Sequence, residues 1–362
     1  MELQLTRKKK TGGIAGLDIE AGSIAATEVE VNGSVRVKAM AIEPLAPGVF
    51  HEGEVVDPDA LAAALKALFG RHKLSKRVRL GIGNQQVVVR TVRLPAIEDP
   101  KEMDAAVRFQ AQEQMPMPLD QAVLEHQVVG GVPAEEGGAP QVDVVVVAAR
   151  REMVASFVGP LRSAGLEPAG VDLSAFAMIR ALADTEAAAL AVEPGERPSE
   201  AILYCNVGDV TNLAVARGRS CLFTRVSHAG LEAIAERLAT SRGLSPEHAS
   251  QWLSHVGLEL PVEQIEGDAE TVAEARRALE EGVPALLDEV RLSLDYYRAQ
   301  ESALPVSRIV LGGLGSTIAG LAQRMEEGLG SPIAVARPTG LAGIDDAAAA
   351  RLTLSYGLAL EA

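Results

Sequence analysis

Three short segments carry residue types that could hold a phosphorylated ligand. Asp18-Ile19-Glu20-Ala21-Gly22-Ser23 and Asn206-Val207-Gly208-Asp209-Val210-Thr211-Asn212 each lie between two apolar, strand-like runs. Gly312-Gly313-Leu314-Gly315 follows a third such run. Main-chain N–H groups in turns of this kind form concave anion sites. Two of them opposed across a cleft would grip a phosphate chain from both sides, with donors from Gly22, Ser23, Gly208, Asp209 and Thr211. Gly312, Gly313 and Gly315 would let the backbone approach a flat ring, although a crowded strand-to-helix turn asks for glycine equally. No side chain near either turn is an evident general base for water, so efficient hydrolysis is not expected.

The other reactive types build no second centre. Cys205 and Cys221 fall on the first and third strands of one meander, roughly 9–10 Å apart and beyond a disulfide's reach. They read as small buried residues in a reducing compartment. The six histidines are scattered, without a pair at zinc-ligand spacing.

The elements that must position the turns recur. Ile14–Ile19, Ile24–Val31 and Val35–Ile42 read as three strands, with Asn32-Gly33 as a two-residue hairpin. A helix capped by Asp57 and closed by Gly70 follows, with Leu61, Leu65, Leu68 and Phe69 on one face. Ala201–Val207, Thr211–Ala216 and Cys221–Val226 repeat the opening meander, and helices follow again. Between the halves, Val78–Leu94 is extended, and Asp99-Pro100-Lys101-Glu102 opens a helix that stops before Pro116. Val123–Val129 and Val142–Ala149 add strands, completing an inserted strand–helix–strand–strand unit. Arg150–Ala164, Ser174–Ala191 and Ser316–Leu329 read as helices, and Glu193–Pro198 as a linker. Taken alone, the repeated strand–turn–glycine pattern also suits a doubly wound enzyme.

Bulk composition narrows the partners. At 362 residues the chain is long enough for two lobes, and 48% apolar with 23% charged residues marks it as globular. A formal net charge of −15 and only 3% aromatics argue against nucleic acid, which asks for cations and stacking platforms. No leader-like apolar run follows the basic Arg7-Lys8-Lys9-Lys10, and no stretch approaches a membrane span. The expectation is a soluble intracellular protein with a flexible, solubilising tail.

One ordered set of motifs is more specific. Leu287-Asp288-Glu289-Val290-Arg291-Leu292-Ser293-Leu294-Asp295-Tyr296-Tyr297 leads into Arg308-Ile309-Val310-Leu311 and the Gly312–Gly315 turn. Val88–Pro95, Gln114–Asp120, Leu222–Arg225 and Tyr356–Leu360 fit beside it. From Gly12 onward the chain resembles the type IV pilus assembly protein PilM family. The resemblance implies a two-lobed, actin-like (duplicated ribonuclease H-like) α/β fold with the small insert. It implies a tail at 1–11, a first lobe at 12–192 with the insert at about 87–149, and a linker at 193–199. A second lobe at 200–345 and a C-terminal helix at 346–362 returning to the first lobe complete it. It further implies ATP in the cleft, Mg²⁺ held by Asp18, and the Gly312–Gly315 turn against adenosine. The partner it implies is the N-terminal tail of a PilN-like inner-membrane protein. A groove beside the insert, with Arg90, Met103, Val107, Met115 and Met117, is the expected contact surface, although each methionine taken singly suits an ordinary core better. The implied place is the cytoplasmic face of the inner membrane, among other pilus assembly proteins.

The phosphate turns depart from that pattern. Glu20 replaces a glycine, Ala25 stands at an expected lysine, and Asn206 replaces an aspartate. Ser250 and Leu253 stand where the family places a glutamate and a lysine around the nucleoside. A like charge gained and an opposite charge lost each shift binding by roughly 1–4 kcal/mol at moderate dielectric. A scaffold is therefore expected rather than an enzyme. An actin-fold phosphotransferase or nucleotide switch would need an intact first turn. A filament-forming division protein of the FtsA type would add a C-terminal amphipathic helix, and a type II secretion platform protein would continue into a membrane span.

Overall fold

The computed structural model describes residues 13–132, 140–190, 198–300 and 303–360. The expected tail at 1–11 and linker residues 193–197 lie outside these. The chain opens with β1 (Ala15–Glu20), β2 (Ser23–Val31) and β3 (Val35–Pro44), an antiparallel meander in which Asp18 faces Ala25 and Glu20 faces Ser23. The β2–β3 connection is three residues long, not two, because Val31 pairs with Val35 and Gly33 takes φ +76° inside it. After β4 (Phe50–His51) and β5 (Glu54–Val55) comes α1 (Pro58–Arg71). The Asp57 carboxylate accepts from the N–H groups of Asp59 and Ala60, and Leu61, Leu65, Leu68 and Phe69 are buried. The helix runs through Gly70 to Arg71.

The long extended stretch divides between two sheets. β6 (Arg77–Ile82) lies parallel to β1, whereas β7 (Val87–Pro95) leaves for the insert. There α2 (Pro100–Gln114), capped by Asp99, covers a three-stranded sheet of β7, β8 (Ala122–Val132) and β9 (Gln141–Arg150) in the order β7-β9-β8. The insert has its own core, with Val92, Leu94, Val144 and Val146 against the helix. α3 (Arg151–Ser163), β10 (Glu167–Leu173) and α4 (Ser174–Leu182) return the chain to the first lobe. α4 is shorter than its apolar run suggests, because the Thr185 hydroxyl donates to the Leu182 carbonyl and closes the last turn.

The second lobe repeats the plan. β11 (Ala201–Val207), β12 (Thr211–Arg217) and β13 (Ser220–Ser227) form its meander. α5 (Leu231–Arg242), α6 (Pro246–Val256) and the 30-residue α7 (Ala269–Arg298) cover one face, before β14 (Val306–Gly312) lies parallel to β11. The expected helix from Ser316 begins only at α8 (Leu321–Leu329), since Gly320 sits at φ +80° and interrupts it. β15 (Ile333–Val335) and α9 (Asp346–Ala359) complete the chain. The two five-stranded sheets run β3-β2-β1-β6-β10 and β13-β12-β11-β14-β15, the same order twice.

α9 crosses back between the sheets. Gly16 lets β1 press on it, since a Cβ there would overlap the Ser355 carbonyl and lie 2.5 Å from the Ala359 nitrogen. Buried residues of both sheets, α4 and α9 share one core, including Ala25, Met178, Tyr204, Ala214, Leu352 and Leu354. The helix's last carbonyls are held by arginines: Arg180 Nε donates to Gly357 and Arg79 Nη1 to Leu358. Cys205 and Cys221 are both buried and free, with β12 between their strands. No described helix is long and apolar enough to cross a membrane.

Candidate functional site

The first turn (Ala21–Gly22, between β1 and β2) and the second (Gly208–Val210, between β11 and β12) face each other across the inter-lobe cleft. A Cβ on Gly208 would overlap Glu20 Oε1 and lie 3.3 Å from its Cδ. The Asn212 amide crosses to the first lobe, and a Cβ on Gly83 would lie 2.6 Å from its Oδ1. The cleft mouth is bridged as well. His51 Nδ1 lies 2.9 Å from Glu232 Oε1, and the Glu52 N–H donates to Glu232 Oε2 at 3.0 Å. Glu52 is held at φ +49° to do so. His51, Glu232 and Glu236 bring three metal-capable atoms within 4.8 Å. Sequence spacing could not show this, because 181 residues separate His51 from Glu232.

Asp18, on β1 and 3% exposed, meets an arginine. Arg351 of α9 donates from Nη1 to Asp18 Oδ2 at 2.5 Å, from Nε to Ser23 Oγ at 2.7 Å, and from Nη2 to the Ser23 carbonyl at 2.8 Å. Its Nε also lies 3.2 Å from Glu20 Oε2. The Asp209 carboxylate lies near the main-chain N–H groups of Ala21 and Gly22, and its Oδ2 is buried without a hydrogen-bond partner. Those are the amides a phosphate would use. The Gly208 N–H turns into its own loop and donates to the Val210 carbonyl, and the Thr211 hydroxyl donates to the Ala229 carbonyl at 2.6 Å. What remains between the turns is a cavity of about 20 Å³, little more than one water needs.

Gly312, Gly313 and Gly315 end β14 beside β11. A Cβ on Gly313 would sit 2.6 Å from the Val207 carbonyl oxygen, and one on Gly315 would sit 2.5 Å from Val207 Cγ1. Close packing on Val207 therefore accounts for glycine here without a ring. On α6, Leu253 is buried in the lobe core and Ser250 Oγ donates to the Pro246 carbonyl. Neither is free to embrace a nucleoside.

One guanidinium faces the buried Asp18 carboxylate and the two partly buried ones of Glu20 and Asp209. Burial, only partly offset by Arg351, pushes Asp18 up, takes Glu20 to about 8 and takes Asp209 to about 6. A carboxyl whose folded value exceeds its ordinary 4.5, as for Glu20, binds protons preferentially in the folded state. Its stabilising contribution is complete below that ordinary value and is lost as pH rises through about 8. His51, raised by its bond to Glu232, acts in the same direction. The protein should be more stable at pH 6 than at pH 8.5, by on the order of 1–3 kcal/mol in denaturant titrations. Higher stability at the alkaline pH would contradict this reading of the cleft.

A second concavity lies outside the cleft. β7 is the outer strand of the insert's sheet and β13 the outer strand of the second lobe's sheet. Between them runs a groove of about 300 Å³, lined by Val87, Val89, Arg90, Phe223, Arg225 and Tyr296 among others. Arg90 lines this groove. Met103, Val107 and Met115 do not: all three are buried in the insert's own core, with Met117 packed against it. They hold α2 on its sheet. The signal for the other wall was the Phe223 to Arg225 segment, which sequence reading used only as a family motif.

Two lobes built on one strand order, an inter-lobe cleft between their first turns and a helix returning through the interface define an actin-like protein. The model of the type IV pilus assembly protein PilM family matches residues 16–360, and the chain belongs to that family. A solved PilM–PilN type IV pilus biogenesis complex is 28% identical, with a TM-score of 0.77 over 96% of this chain and 97% of the other. The ethanolamine utilization protein EutJ of Carboxydothermus hydrogenoformans is 14% identical, with a TM-score of 0.52 over 96% and 88%. MreB5 of Spiroplasma citri, solved with ADP, is 11% identical, also at 0.52, over 96% and 95%. The last two show the fold alone. The fold class thus includes a nucleotide-bound member, but the residues here do not fit a magnesium nucleotide. The cation position beside Asp18 is taken by Arg351, and the amides of the first turn face Asp209.

Proposed function

We propose that the chain is a scaffold of the type IV pilus inner-membrane assembly complex, not an enzyme. It works at the cytoplasmic face, peripheral to the inner membrane, and holds the N-terminal tail of a PilN-like membrane protein among other pilus assembly proteins. Family membership and the likeness to a PilM–PilN complex support this partner. The observation that carries the docking site is the groove between β7 and β13. An extended peptide laid along two outer strands gains main-chain hydrogen bonds, with alternate side chains in pockets. Tyr296, 52% exposed, and Arg90 supply the aromatic and guanidinium anchors that dominate such surfaces.

The test is fluorescence anisotropy with the tail peptide of the membrane protein. Arg90→Glu combined with Tyr296→Ala should weaken binding at least tenfold, about 1.4 kcal/mol, with only the small loss of thermal stability that the Tyr296–Phe223 contact accounts for. Unchanged affinity in the folded double variant would put the docking surface elsewhere.

A further inference from the structure

Arg351 lies outside every motif that carries the family resemblance, yet its guanidinium joins Asp18, Glu20 and Ser23 in the cleft. Its side chain is 4% exposed and spans Asp18, Glu20 and the hydroxyl and carbonyl of Ser23. Opposite it, the Asp209 carboxylate stands near the amides of Ala21 and Gly22, with its Oδ2 buried and without a hydrogen-bond partner. The pattern is a cation on the β1 aspartate and an anion near the turn amides, the same charges a metal–phosphate group would bring. Both come from the chain itself. α9 cannot swing Arg351 out, because the helix is buried from Ala349 to Ala359 and wedged between the sheets.

We propose that Arg351 is a built-in ligand of the cleft, which occupies the cation position of the first turn and excludes magnesium nucleotides. The lobes are then a fixed platform rather than a nucleotide-driven switch. A guanidinium suits the task better than an ammonium, since its planar fork reaches Asp18, Glu20 and Ser23 at once. A divalent cation is the alternative occupant that the same carboxylates would accept once the guanidinium is gone.

Thermal melts of the full chain test this. The melting temperature of the unaltered protein should not move with millimolar Mg-ADP or Mg-ATP. In Arg351→Ala it should fall, and MgCl2 or guanidinium at low millimolar concentration should restore several degrees where KCl of equal ionic strength does not. A rise of several degrees for the unaltered protein with Mg-ADP would overturn the proposal. So would an Arg351→Ala variant indifferent to both cations. Should that variant not fold, hydrogen–deuterium exchange on the unaltered chain decides. Amides of residues 20–23 should be equally protected with and without Mg-ADP, and strong protection appearing only with nucleotide would overturn the proposal.

Discussion

Replacing Arg351 by alanine is expected to cost about 3–5 kcal/mol of unfolding free energy at neutral pH, the range for stranding buried charges by removing their partner. Asp18 would lose its 2.5 Å donor, and Glu20 the guanidinium 3.2 Å away that favours its charged form. The Ser23 carbonyl and hydroxyl would lose donors too. The loss should shrink toward pH 5, where the stranded carboxyls take up protons instead. Arg351→Lys should fall between the two, keeping the charge but not the fork. Urea titrations read all of this as a shifted midpoint at constant slope. A loss below about 1 kcal/mol for the alanine variant would mean that the pair contributes as little as an exposed one.

The second large effect belongs to the glycines that let α9 pass. A Cβ at Gly357 would overlap the Ala177 carbonyl oxygen and lie 2.6 Å from its carbon, so α4 and α9 cross in main-chain contact. Gly16 meets the same helix from β1, against the Ser355 carbonyl. Overpacking normally costs about 1–3 kcal/mol because side chains can yield, and main chain yields less. Gly357→Ala and Gly16→Ala should therefore each lose about 3 kcal/mol or more, seen as poor soluble yield or a collapsed melting temperature. Gly22→Ala is the control. Nothing lies within 4 Å of a Cβ there, and its stability should match the parent. Equal behaviour of Gly357→Ala and Gly22→Ala would contradict the packing of α9.

These two effects mark where sequence reading ran out. The meanders were legible because their strands are short, apolar and punctuated by turns, and the two phosphate-type turns were found and correctly opposed. Glu20 and Asn206 were legible as departures, since a family pattern says what should stand there. Arg351 was not, although its signal is plain afterwards: it is the one charged residue between Asp346 and Glu361. In a helix that faces water such a residue is unremarked. From Ala349 onward α9 faces no water, and only the return of the helix between the lobes makes the charge mean something. Met103, Val107 and Met115 failed for the converse reason. Apolar residues at helical spacing fit a groove and a core alike, and the three-stranded sheet under α2 decides for the core. The helix limits at Leu182 and Leu321 turned on one hydroxyl and one glycine conformation, both below the resolution of periodicity.

Calorimetric titration of the full chain with a PilN-like N-terminal tail peptide, in buffer free of nucleotide, tests the central claim most directly. A platform whose cleft Arg351 already occupies should bind the peptide at once, with the same affinity before and after millimolar Mg-ATP is added. Binding that appears only with Mg-ATP would contradict a nucleotide-independent scaffold, and no binding under either condition would contradict the scaffold itself.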